Sequence, residues 1–273
     1  MISTMKKHLF LFCLCCLALL SIQCSDDDTP ATTPEETTPQ TDSYFALQSG
    51  NNWQYNVTTD GMASSQDQLA VAPDPSTPVG FSNLDANEPA NGFMTTLLAT
   101  GYLKDELSIL RYTGALEFAI DPSNPIQIDI EDALVYNAEA ASGTTLSTVT
   151  QSFSQDLDGI PITIDVVAST QQLGLLDTYT SGGFTFEKAV QSSLIINATI
   201  SAEILGVQIP LLPSQDVLIA ENTYAINNGL VNSEVTFTYE FVDLSGFGID
   251  LPFPASDTSV STQVINDFEL TLN

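Results

Sequence analysis

Thirty-four carboxylates and five basic side chains set the chemistry open to this 273-residue chain, whose formal net charge is −29. Its one imidazole, His8, and three of its four thiols, Cys13, Cys15 and Cys16, all precede Cys24. Beyond Cys24 a serine or threonine nucleophile has no imidazole to serve as its base. Zinc, copper and haem lose their usual ligands for the same reason. A serine–lysine pair would need Lys104 or Lys188, and no motif sets a serine beside either. There is no phosphate-cradling or dinucleotide-binding glycine loop and no Gly-x-Ser-x-Gly elbow. Paired carboxylates remain open, as in glycan cleavage, but the spacing singles out no two of them. The chain is therefore read as non-enzymatic, with no cofactor expected. The one metal pattern is Ser154, Asp156, Asp158-Gly159 and Asp165, with the oxygen spacing of a twelve-residue calcium loop. Against it, Pro161 and the alternating Ile160, Ile162 and Ile164 read as a strand leaving a hairpin turn, so Asp156, Asp158 and Asp165 are weak calcium candidates only.

The charge also bounds the partners. Nucleic acid requires clustered Lys and Arg, which are missing. The 43% apolar fraction is that of a globular protein rather than a disordered one.

The chain opens with Lys6, Lys7 and His8, followed by an apolar run of 14 residues from Leu9 to Ile22, broken only by Ser21. As a helix this run is about 21 Å long, short for a membrane span and right for a secretory signal. Leu20-Ser21-Ile22-Gln23-Cys24 follows, then Ser25-Asp26-Asp27-Asp28. This junction resembles a bacterial lipoprotein signal of the looser Bacteroidetes type, and Cys-Ser-Asp-Asp-Asp resembles that group's acidic tag for export to the cell surface. The resemblance implies cleavage after residue 23, lipid attachment at Cys24 and an address at the outer membrane on the cell surface. Several acyl chains would hold such a protein stably on the membrane. Cleavage would leave three basic residues, Lys104, Arg111 and Lys188, against all 34 acidic ones.

Residues 25–43 hold six acidic residues, three Pro and six Thr and no large apolar side chain, the composition of a solvated tether. The domain organisation read from this is a signal peptide over 1–23, lipidated Cys24 with a disordered linker over 24–43, and one domain over 44–273. In that domain period-two alternation dominates. Val190, Leu194, Ile196, Ala198, Ile200 and Ile204 occupy even positions of one long strand, with mostly polar residues between them. Ile160–Val166, Val231–Phe241, Ile126–Ile130, Leu116–Ile120 and Val264–Leu272 alternate likewise, and Ser142-Gly143, Asp158-Gly159 and Asn228-Gly229 mark turns. Leu103 to Leu110 suits a helix or a strand. The fold class is all-β, about 10 to 13 antiparallel strands in one large, strongly curved sheet, half-barrel or barrel-like, with a β-sandwich as the alternative.

Tyr44-Phe45-Ala46-Leu47-Gln48-Ser49-Gly50-Asn51-Asn52-Trp53-Gln54-Tyr55, Gly183-Phe184-Thr185-Phe186-Glu187-Lys188-Ala189 and Tyr224-Ala225-Ile226-Asn227-Asn228-Gly229-Leu230-Val231-Asn232-Ser233-Glu234 together resemble a group of exported bacterial β proteins with the half-barrel fold of the outer-membrane lipoprotein carriers (LolA/LolB-like). Ala46 and Asn232 depart from the group's Pro and Lys, and the resemblance carries no catalytic residue. Tyr44, Phe45, Trp53 and Tyr55 are expected to pin the first strand to the core, the alternative being a platform for sugar rings. Leu205 to Pro213, apolar yet with Gly206, Pro210 and Pro213, is expected as a loop or strand edge: a buried crossover, or a lid or contact patch for a greasy partner.

The function expected is binding by a lipid-anchored, surface-exposed, non-enzymatic protein, through a concave apolar face or strand-end loops. One alternative is a periplasm-facing carrier of lipid or another apolar ligand, which needs a hollow along Val190–Ile204. A second is a carboxylate-dependent protein that binds or cleaves glycans. Membrane contact through the anchor and an apolar small molecule or glycan are the expected partners; a protein partner is not specified.

Overall fold

The computed structural model describes residues 43–73, 76–106, 108–118, 125–157, 160–204, 206–244 and 254–271. The signal segment, Cys24 and all of the tether but Ser43 lie outside these residues, as does the Asp158-Gly159 turn. Fourteen strands are present: β1 (Asn52–Thr59), β2 (Ser65–Ala72), β3 (Ser82–Ala86), β4 (Gly101–Glu106), β5 (Ile109–Phe118), β6 (Ile126–Asn137), β7 (Thr145–Leu157), β8 (Ile160–Leu176), β9 (Tyr179–Ser181), β10 (Phe184–Phe186), β11 (Ala189–Ile204), β12 (Val207–Ala225), β13 (Gly229–Glu240) and β14 (Ser256–Glu269). One helix, α1 (Phe93–Ala99), follows β3. No described helix is long and apolar enough to cross a membrane.

Twelve strands form one antiparallel sheet in the order β6-β5-β4-β3-β2-β1-β14-β13-β12-β11-β8-β7, and β9 and β10 make a separate hairpin. The sheet curls until its two edge strands, β6 and β7, lie side by side, a nearly closed barrel. The strong twist of long antiparallel strands drives that curl, and the all-β, barrel-like expectation holds. The seam is made by side chains. The Gln151 amide accepts from the Asp129 N–H and donates to the Asp129 carbonyl. Ser147 Oγ accepts from the Leu134 N–H, Thr170 Oγ1 donates to the Leu134 carbonyl, and Gln172 Oε1 accepts from the Asn137 N–H. Polar side chains thus satisfy an edge that would otherwise invite another chain.

Alternating side chains fill the interior. Val190, Ile196, Ala198 and Ala202 are fully buried, and Leu194 and Ile200 nearly so. They pack with Leu116, Ile128, Tyr136, Val166, Leu218 and Val231 in one core. Of Leu205 to Pro213, expected as a loop or strand edge, Val207 to Pro213 forms the first third of β12, a stretch without a β13 partner and with Leu211 and Leu212 fully buried. Its prolines are tolerated because β12 pairs with β13 only from Leu218 onward, so the missing N–H groups break no ladder on that side. Leu103 to Leu110 is strand, split between β4 and β5.

Helix α1 was not foreseen. It has seven residues, Gly92 at its N-cap without a side-chain cap, and no acidic residue in its first turn. Its position comes from tertiary contacts. Buried Asp67 accepts from the N–H groups of Asn91 (3.0 Å) and Gly92 (2.7 Å). Gln263 Nε2 donates to Thr95 Oγ1 at 2.7 Å. At the other end, Tyr112 lies across the facing Gly101 and Gly114, and its hydroxyl is 3.1 Å from the Leu97 carbonyl. The helix is tied at both ends, with Met94, Leu97 and Leu98 turned into the core.

Candidate functional site

Three segments distant in sequence meet at one end of the barrel. The Ala46 N–H donates to the Asn228 carbonyl, Asn227 N–H to Ser43, and Ile226 N–H to Lys188. Phe45 packs edge-on against Trp53 with ring centroids 5.2 Å apart. Tyr224 packs against both Phe45 and Tyr136, and Tyr136 packs edge-on against Tyr44. Gly229, at φ 146°, lies so close to Phe45 and Trp53 that a Cβ there would sit 3.2 Å from the Phe45 ring. The hairpin β9–β10 docks beside them, with Ser181 donating to the Val231 carbonyl and Phe184 and Phe186 stacked around Phe268. These are the three segments that carry the half-barrel resemblance, and their shared work is to close the barrel end. Trp53 and Tyr55 are fully buried, and Tyr44 and Phe45 nearly so, which makes them core pins rather than a sugar platform.

One carboxylate enters this aromatic end. Asp105 is partly buried, and desolvation holds its carboxyl above the usual range, with contact to the Ser43 side chain pulling the other way. Burial also pushes the Tyr55, Tyr136 and Tyr224 phenols upward, and the Asp105 charge adds to the rise at Tyr136.

Across the middle of the barrel runs a row of uncharged polar side chains. Gln172, Ser192, Asn222, Ser233 and Gln263 are register partners on β8, β11, β12, β13 and β14, and all five are buried. Register partners share a face of the sheet, so the row turns inward together. Beside it lies a cavity of about 40 Å3 lined mainly by Met94, Leu97, Leu98, Ile130, Ala133 and Leu194. Tyr112, Thr170, Ser192, Ser193 and Asn222 also border it, though its surface is almost wholly apolar. That volume holds roughly three water-sized groups. It does not hold an acyl chain, and Val190, Ile196, Ala198, Ile200 and Ala202 are buried in the core.

The larger concavity is outside. A groove of about 520 Å3 runs between the leading segment and the β2–β3 connection, lined by Leu47, Val71, Thr77, Phe81, Ser82 and Asn83, among others. Ser82 Oγ donates to the Leu47 carbonyl and joins the two walls. The Lys104 ammonium lies 5.7 Å from the Phe81 ring centroid and pairs with Glu106. The volume falls in the range of small-molecule sites, and the lining mixes apolar surface with a few polar groups, as such sites do. Sequence reasoning missed this groove, because its walls come from segments that alternation does not mark.

The calcium candidates are not brought together. Asp156, the second-last residue of β7, is opposite Pro161, while Asp165 is four residues farther along β8, opposite Ser152 and exposed. Four residues of strand separate the two by about 13 Å, beyond the reach of one ion. Asp158 is outside the described residues. No group of three or more His, Cys, Asp or Glu side chains among the described residues could hold a metal.

No protein-family model matches the chain. No curated protein matches it either. Among solved structures, one from Parabacteroides distasonis, described as a candidate lipoprotein, aligns over 84% of this chain and 99% of its own at 10% identity, with a TM-score of 0.34. A superposition that loose transfers neither fold nor function.

Proposed function

We propose that this chain is a non-enzymatic binding protein, anchored in the bacterial outer membrane by lipid on Cys24 and displayed on the cell surface. The observation that carries the binding role is the Phe81 groove, a ligand-sized recess on strand-end segments of a barrel whose interior is filled. The anchor rests on Cys24, set between an apolar run and an acidic tether. The length before the domain suits display: 19 residues of this composition would reach roughly 25 Å as a flexible coil. The strongly negative surface would repel anions, so the groove favours a neutral ligand with some apolar surface.

Two experiments test the reading separately. Proteinase K added to intact cells should remove the wild-type protein from the membrane fraction, and Cys24→Ala should no longer fractionate with membranes. A wild-type protein that resists proteinase K on intact cells but not on lysed ones faces the periplasm instead. For the groove, the protein is screened against glycan and peptide arrays. A ligand that loses tenfold or more affinity in Phe81→Ala supports the site; a ligand bound equally by both proteins places recognition elsewhere.

A further inference from the structure

Apolar side chains stand out at both ends of the barrel, and their neighbours differ. Ser43, where the tether enters, meets Asn227 in the β12–β13 turn and so marks one end. At the rim of that end Val79 and Leu175 are exposed, and Phe184 and Phe268 are half-buried. Val79 is at the tip of a turn closed by the Phe81 N–H on the Pro78 carbonyl, with Gly80 at φ 84°. The Lys104 stem lies alongside, its Cε 3.9 Å from where a Gly80 Cβ would sit. Lys188 adjoins Ala189, the register partner of Leu176. Arg111 is the register partner of Lys104, so all three basic residues beyond Cys24 lie toward this end. At the far end the exposed apolar residues are Met62 and Val207, and acids stand beside them: Asp60 in the β1–β2 turn and Glu203 in the β11–β12 hairpin. The apolar points at the tether end are spread around the rim, from the β2–β3 connection through β14 to β8. Points so far apart frame no pocket, but a broad flat surface meets them together.

We propose that this end of the barrel docks on the lipid bilayer. Val79, Leu175, Phe184 and Phe268 lie at the boundary between headgroups and acyl chains, and the lysines extend their charges to the headgroups. The proposal rests on the anchor reading: residues 25–43 join Cys24 to the barrel, so the end that Ser43 enters is the one kept near the membrane. Each apolar contact is weak, and tethering supplies the effective concentration at which weak contacts count. Asp177, Glu187 and Glu269 share the rim, so the contact is apolar rather than an attraction to anionic lipid. The walls of the Phe81 groove belong to the same end, so a docked barrel takes its ligand at the bilayer surface.

The test couples the chain beginning at Cys24, through its one thiol, to a maleimide lipid in phosphatidylcholine vesicles. Coupling fixes the anchor chemically, so the result does not depend on whether cells lipidate Cys24. Hydroxyl-radical oxidation is then compared between the coupled chain and the same chain free in solution. Leu175, Phe184 and Phe268 should oxidise severalfold more slowly when coupled, while Met62 and Val207 keep their rates. Val79→Ser combined with Leu175→Ser, two exposed positions where the fold tolerates serine, should return Phe184 and Phe268 to the rate of the free chain. Equal oxidation in the coupled and free chains, protection that is the same at both ends, or protection that survives the double substitution would overturn the proposal.

Discussion

Asp105 shows most directly what burial does to a single group. Its carboxyl holds its proton to higher pH in the folded state than in the unfolded chain. Between those two values the folded protein binds more protons than the unfolded one, so this group's contribution to stability falls as pH rises through the window. Asp105→Asn should therefore raise the urea midpoint at pH 7 and flatten its change between pH 4 and 7; a midpoint lowered at pH 7 would show that the charged form is needed. The tyrosines give the alkaline counterpart. Tyr55, Tyr136 and Tyr224 keep their protons well above the ordinary phenol range, so stability falls as pH rises above 10. Absorbance at 295 nm should show these three phenols ionising only together with loss of structure by circular dichroism. The clustering of aromatics around Trp53 was legible as a pin because Tyr44, Phe45, Trp53 and Tyr55 gather at the start of the domain, the last two at alternate positions of its first strand. Nothing in the sequence marked Asp105, whose burial and neighbours Ser43 and Tyr136 come from distant parts of the chain.

At the scale of elements, the strands were readable because their inward residues alternate without a break, as along Val190–Ile204. Helix α1 was hidden for a physical reason: it carries no capping side chain and is too short for a periodic stripe, so long-range partners impose it. Those partners make it sensitive to small changes. A Cβ at residue 92 would stand 2.3 Å from Gln263 Oε1 and 3.0 Å from Asp67 Oδ2. Gly92→Ala should cost about 1–3 kcal/mol in a urea titration, and Asp67→Ala, which removes the acceptor of the Asn91 N–H and of the buried Gly92 N–H, a similar about 1–3 kcal/mol. The seam responds differently. Gln151→Ala should lower stability by only about 0.5–1.5 kcal/mol, yet hydrogen exchange at the Asp129 amide should speed up while amides of β11 stay protected. Unchanged exchange at Asp129 would mean that the seam does not depend on its side-chain latch. The prolines of β12 left loop and strand edge both open, because the register of β13, which leaves that stretch unpaired, is a property of the sheet rather than of the segment.

For the whole molecule, the single β domain and its strong curvature followed from alternation and hairpin turns, whereas the side-chain closure of β6 on β7 depends on residues such as Gln151 and Ser147 that look like ordinary surface positions. The barrel is filled, its recess faces outward, and the chain before it reads as an anchor and a tether. The proposed anchor at Cys24 is the hold on a membrane that this reading relies on, because a charge of −29 gives the protein no electrostatic hold on an anionic one. The most direct test is the intact mass of the protein extracted from bacterial membranes, with fragmentation of its N-terminus. The account predicts a chain that begins at Cys24 and carries the added mass of a diacylglyceryl group, with or without a further acyl chain. A chain of unmodified mass, whether it retains residues 1–23 or begins at a free Cys24, would contradict it.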